Sequence, residues 1–211
     1  MIAVAALTVY VAWLVLAFGL RSLIQARRTG DAGWRSPGGK RGSLQWWSRI
    51  IVGFGAVAAG LAAPVADLIG LPAIGILDQT WLRLAGLALA IVAAAATVVA
   101  QIMMGRSWRI GVDEAERTTL VTTGPFRLVR NPIFTAAVVV IAGTALAVPN
   151  AIALAGLAAA IIGVQLQVRR IEEPYLRRVH GEDYDRYAAH VGRFLPGIGK
   201  PPSRGDHTLP R

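Results

Sequence analysis

The chain alternates long uncharged apolar runs with short, strongly charged connections. Met1 to Leu20 carries no charge until Arg21. Trp46 to about Ile69 is a second run, and Trp81 to about Met104 a third, with Arg83 at its edge. Ile133 to Val148 and Ala151 to Val168 follow, shorter and joined by Pro149 and Asn150. A helix crosses the hydrocarbon core with about 20 apolar residues, so the pattern predicts five spans, the last two forming a tight hairpin. Arg83, near a span end, is placed to snorkel toward water. The first run lacks the basic start and small-residue cleavage site of a signal peptide and reads as a retained span. Gly55 with Ala59, and Gly86 with Ala90, repeat at the spacing that lets membrane helices pack closely.

Composition sharpens this picture. Of the 211 residues, 55% are hydrophobic, and the mean hydropathy is +0.52. The predicted fold is an all-α integral membrane bundle of five transmembrane helices, with a C-terminal helical hairpin and a cytoplasmic amphipathic tail helix. Residues 1–104 hold three spans and a basic loop, 21–49, while 200–211 read as a flexible tail with Pro201, Pro202 and Pro210. Arg21, Arg27, Arg28, Arg35, Lys40, Arg41 and Arg49 stand in that loop against Asp31 alone. Between spans two and three lie Asp67 and Asp78 with almost nothing basic, whereas Arg106, Arg109, Arg117, Arg127 and Arg130 follow span three. Nine further Lys and Arg follow Val168. The positive-inside rule then puts the N-terminus outside and the C-terminus in the cytoplasm, in the cytoplasmic membrane. Trp46, Trp47, Trp81 and Trp108 fall where an aromatic belt belongs.

The net charge of +10 is accounted for by orientation signals and contacts to anionic membrane lipids. No nucleic-acid recognition motif accompanies it. The absence of cysteine excludes disulfides and thiolate zinc sites. His180, His190 and His207 show no metal-ligand spacing, so no metal is expected. Gly53 to Ala58 loosely fits a dinucleotide fingerprint but lies inside an apolar run with no preceding strand. Gly38-Gly39-Lys40-Arg41 lacks the first glycine and the Ser/Thr of a phosphate loop.

Two polar segments flank the hairpin, which folds them to one membrane face. In Arg130-Asn131-Pro132, Asn131 is placed to cap the fourth span and Pro132 to occupy its first turn. Arg127 and Arg130 are able to fork a carboxylate or phosphate, or to anchor the span. After the fifth span, Arg169 and Arg170 precede Glu172 and Glu173. Glu173 lies at i+4 from Arg169 and i+3 from Arg170, and both pairs can share a helix face. Pro174 removes an N–H and is expected to kink or end the helix. Tyr184 and Tyr187, three apart on an amphipathic helix, suit either stacking on a purine or packing on the membrane.

Together these residues resemble the isoprenylcysteine carboxyl methyltransferase family and the related phospholipid methyltransferases, from about Gly105 to Pro196. The likeness rests on Leu120-Val121-Thr122-Thr123-Gly124-Pro125-Phe126, Arg130-Asn131-Pro132-Ile133-Phe134, Glu172-Glu173 with Leu176, Gly181 with Tyr184 and Tyr187, and Arg193-Phe194-Leu195-Pro196. It implies a methyltransferase core at 105–199, with hairpin 132–168 and a cytoplasmic cofactor segment. The donor would be S-adenosylmethionine, and the acceptor a lipophilic or lipid-modified carboxylate, amine or thiol arriving from the bilayer. Arg130, Asn131, Pro132, Glu172, Tyr184, Tyr187 and Gly124 would bind the cofactor. Glu173 and Arg170 would be catalytic, Glu173 as ligand anchor or base and Arg170 as carboxylate clamp. Phe126 and Phe134 would line the substrate entrance. Where the family usually has histidine between arginine and proline, this chain has Asn131, an amide that is neither acid nor base near neutral pH. Competing readings are an NADPH-dependent membrane reductase of the sterol-reductase type, and a non-enzymatic transporter or scaffold. No charge sits mid-span where a transport path would want one.

Overall fold

The computed structural model describes residues 1–33, 41–108 and 119–201. Among these residues the protein is all-helical, with two isolated backbone bridges in place of strands. The helices are α1 (Ile2–Thr29), α2 (Leu44–Leu68), α3 (Thr80–Met104), α4 (Pro132–Ala147), α5 (Ala151–His180) and α6 (Glu182–His190). Of these, α1, α2, α3 and α5 are long and apolar enough to cross a membrane. The 16-residue α4 is shorter, about 24 Å at 1.5 Å per residue, against a hydrocarbon core of about 30 Å.

Small residues draw the helices together. A Cβ on Gly86 would lie 2.7 Å from Gly143 O and 2.7 Å from Ala147 N, and one on Gly143 would lie 2.6 Å from Ala90 N. Gly55 meets Ala160 and Gly156 in the same way. The α3–α4 and α2–α5 pairs are therefore in backbone contact, at the Gly86/Ala90 and Gly55/Ala59 spacings noted in the sequence. Tyr10 and Trp13 of α1 fill the centre with Ala59, Ala93, Val140 and Ala160.

Prolines locate two irregular turns. Pro64 and Pro174 cannot donate to Gly60 O and Arg170 O, and each follows a π-helical turn, Ala58–Ala62 and Val168–Glu172. The expected break at Pro174 therefore becomes a widened turn, and α5 runs on to His180.

Other expectations also need correcting. The first helix continues past Leu20 to Thr29, because Arg21 is buried and both its Nη groups find partners inside the protein. Its Nη2 donates to Gly105 O at 2.6 Å, its Nη1 to Gln25 Oε1 at 3.0 Å, and it lies 4.6 Å from the Trp108 ring centroid. Trp108 is accordingly a buried cation–π partner and not part of a lipid-facing belt, whereas Trp47 and Trp81 are exposed. Arg83 is held by Asp67 at 2.9 Å, Asp78 at 3.1 Å and Ala147 O at 2.9 Å. This clamp joins the α2–α3 connection to the hairpin turn. The turn itself is fixed by Asn150, whose Nδ2 donates to Ala63 O and whose Oδ1 accepts from Ala153 N. Arg35 and Lys40 of the Gly-rich loop, Arg109, Arg117 and the tail from 202 lie outside the described residues, as does the Arg106 side chain.

Candidate functional site

The opposite end of the bundle gathers the polar segments. Gly124 opens a short helical turn, Gly124–Arg127, with φ +59. Any side chain there would be strained and would meet Met103 at 2.2 Å. The chain then reaches Arg130, Asn131 and Pro132, and Pro132 starts α4. After α6 the chain returns alongside: Arg130 N donates to Gly192 O at 2.8 Å and Asn131 N to Arg193 O at 3.2 Å.

Glu173 is the centre of this end. It is 4% exposed, and both carboxylate oxygens are bound. Oε1 accepts from Arg130 Nη2 at 2.7 Å and Arg193 Nε at 2.7 Å, and Oε2 accepts from Arg193 Nη2 at 2.9 Å. Arg130 also donates to the carbonyls of Ala188, Val191 and Gly199. One guanidinium thus collects the end of α6, the segment after it and α5. Its Nε is buried with no hydrogen-bond partner among the described residues. Two guanidiniums surround one carboxylate, which leaves local positive charge in surplus. The Glu173 hydrogen bonds hold the Arg193 guanidinium even more firmly protonated than usual.

The expected pairing of Glu173 with Arg169 and Arg170 does not form. The π turn Val168–Glu172 inserts extra backbone between them and rotates Glu173 off their face. Arg169 Nε instead donates to Gln165 Oε1 at 2.7 Å, and Arg170 lies exposed on the turn. Adjacent helix residues point about 100° apart, so the two glutamates part company. Glu172 Oε1 accepts from Gln167 Nε2 at 3.2 Å, and Gln167 Oε1 accepts from Ser48 Oγ at 2.7 Å. Glu172 therefore faces α2, with the charge of Arg49 nearby.

Asn131 occupies the N-cap position of α4 without a side-chain cap; its Nδ2 donates to Arg193 O at 3.1 Å. Tyr184 is 1% exposed beneath the ion-pair cluster, so the protein covers its ring, which is open neither to a purine nor to lipid. Burial pushes its phenol up to about 12, and the nearby Glu173 charge adds to this. The group stays a neutral phenol beside Arg130. Tyr187 meets Tyr184 edge-on, with centroids 6.3 Å apart, and its hydroxyl donates to Phe126 O at 2.6 Å. Phe126 is buried and cannot line a lipid-facing entrance, while Phe134 is half-buried in the first turn of α4. Tyr187→Phe removes the latch from α6 to Phe126. It is expected to cost about 1 kcal/mol, seen as a melting point lower by a few degrees; an unchanged melt rejects the latch.

Arg193 is the partner that sequence spacing did not single out, since only the return of the chain after α6 brings it to Glu173. Among the described residues no cluster of metal-ligating side chains occurs. Compared with known proteins, residues 81–183 match the family described as phospholipid methyltransferase. No curated protein matches the chain.

Proposed function

We propose that this chain, whose residues 81–183 belong to the phospholipid methyltransferase family, transfers a methyl group from S-adenosylmethionine to a lipophilic acceptor at the cytoplasmic face of the cytoplasmic membrane. The observation that carries this reading is the cluster of Arg130, Glu173 and Arg193 at one end of a largely apolar bundle. That position gives a charged, water-compatible site beside lipid.

The donor set suits an amino-acid nucleoside. Two guanidiniums against one carboxylate, with Arg130 Nε buried and unpartnered, favour a further carboxylate. Glu172 offers a separate carboxylate for an ammonium or a ribose. When bound, S-adenosylmethionine supplies a methyl group activated on a sulfonium. Arg130 and Arg193 would hold the cofactor's carboxylate. Asn131, Pro132 and Gly124 would shape the backbone around it, Glu172 would take its amino group or ribose, and Tyr184 and Tyr187 would fix the wall formed by α6.

With both oxygens occupied, Glu173 acts here as a positioning residue that fixes the two arginines. Arg170, exposed on the π turn, is available to clamp an acceptor carboxylate, and Phe134, half-buried in the first turn of α4, would line the acceptor's entrance. Displacement at the methyl carbon depends chiefly on alignment, so rigid placement of these groups supplies most of what is needed. A carboxylate acceptor is already ionised at neutral pH and needs no base.

Calorimetric titration of detergent-purified protein tests the reading. Saturable binding of S-adenosylhomocysteine is expected, weakened about tenfold (about 1.4 kcal/mol) in Glu172→Gln with the melting temperature kept. Folded protein that ignores S-adenosylhomocysteine but binds NADPH would transfer the reading to a reductase.

A further inference from the structure

The turn after α6 carries large apolar side chains that no other described residue covers. Leu195 is 55% exposed, Ile198 63% and Leu128 65%. Backbone pairing groups them: Val129 bridges to Gly192, Asn131 N donates to Arg193 O, and Ile198 N donates to Leu195 O to close the turn.

Two observations identify what they face. The first is height. Thr135, in the first turn of the apolar helix α4, donates from Oγ1 to Phe194 O at 3.1 Å. The 195–198 turn is thus pinned beside the point where α4 enters the apolar bundle. The second is charge. Arg127 precedes Leu128 and Lys200 follows Gly199, and both are exposed. Apolar side chains flanked by basic ones suit the headgroup–acyl boundary of an anionic membrane.

We propose that the 195–198 turn, together with Leu128, inserts into the membrane interface as a second anchor beside the spanning helices. The turn lies outside the matched segment 81–183, Leu128 within it, and the anchor does not rest on methyl transfer. Arg193 and Gly199, on either side of the turn, bind Glu173 and Arg130. Lipid contact therefore steadies the ion-pair cluster from its outer side.

The absence of cysteine allows a direct test. Leu195→Cys, Ile198→Cys and Leu128→Cys are each nitroxide-labelled and reconstituted in vesicles of phosphatidylcholine with a minor share of phosphatidylglycerol. Arg186→Cys on α6 is the solvent reference, its side chain being 75% exposed. Val92→Cys on the outer face of α3, 67% exposed, is the lipid reference. Accessibility to oxygen is compared with accessibility to a water-soluble nickel chelate. All three probes are expected to show an oxygen-to-nickel ratio several-fold above that at position 186. A ratio equal to that at position 186 places the turn in water and overturns the proposal. Shielding from both reagents means that protein, such as a second copy, covers the turn, and overturns it equally. Three separate positions keep the test decisive if one labelled variant melts abnormally.

Discussion

Glu173→Gln is expected to lower thermal stability and methyl transfer together. The carboxylate is buried, and its two oxygens take three hydrogen bonds from Arg130 and Arg193. Substitution by a neutral amide leaves the buried Arg130 and the half-buried Arg193 guanidiniums without a counter-charge. Removing one partner of a buried ion pair costs about 3–5 kcal/mol. The loss falls on the segment after α6, because Arg130 also holds the carbonyls of Ala188, Val191 and Gly199. The decisive measurement combines a melting curve in detergent with turnover normalised to folded protein. A fall in both supports Glu173 as a positioning residue. Lost turnover with the melting temperature intact would mean that Glu173 acts on the substrate itself. Wild-type values for both would remove it from the site.

Gly143→Val is expected to have a comparably large effect, on the bundle rather than the site. A Cβ at this position falls 2.6 Å from Ala90 N and 2.6 Å from Gly86 O. Both are backbone atoms of α3, so no rotamer change relieves the clash and the helices must separate. Overpacking of this kind costs about 3 kcal/mol. In a membrane the loss is sharpened, since close van der Waals packing is a main source of helix association there. The expected readout is a melting temperature lower by many degrees, while Gly75→Val, with nothing within 4 Å, melts as wild type. Equal melts for the two variants would refute the backbone contact between α3 and α4.

These two residues also mark how far the sequence could be read. The order of the apolar helices followed from the apolar runs, because burial in hydrocarbon demands continuous apolar stretches with internally satisfied backbones. The small residues at 86 and 90 announced close packing, but not that Gly143 was their partner. The polar segments either side of the hairpin were legible as one site, since a two-residue turn at Pro149 and Asn150 leaves the flanking chain no other end of the bundle to reach. Glu173 was legible as important, but its partners were not. Local spacing offered Arg169 and Arg170, and the π turn ahead of Pro174 cancelled that geometry.

The alternation of charge and hydropathy thus determined by itself that this is an apolar helical bundle with charged segments on both sides of its last hairpin, because those properties are local and periodic. Tertiary structure alone decided that Arg193 closes on Glu173, that Glu172 turns toward Ser48 and Gln167, and that Trp108, Phe126 and Tyr184 are covered. Each of these depends on segments distant in sequence, and a helical period carries no information about which distant charge arrives to neutralise a buried one.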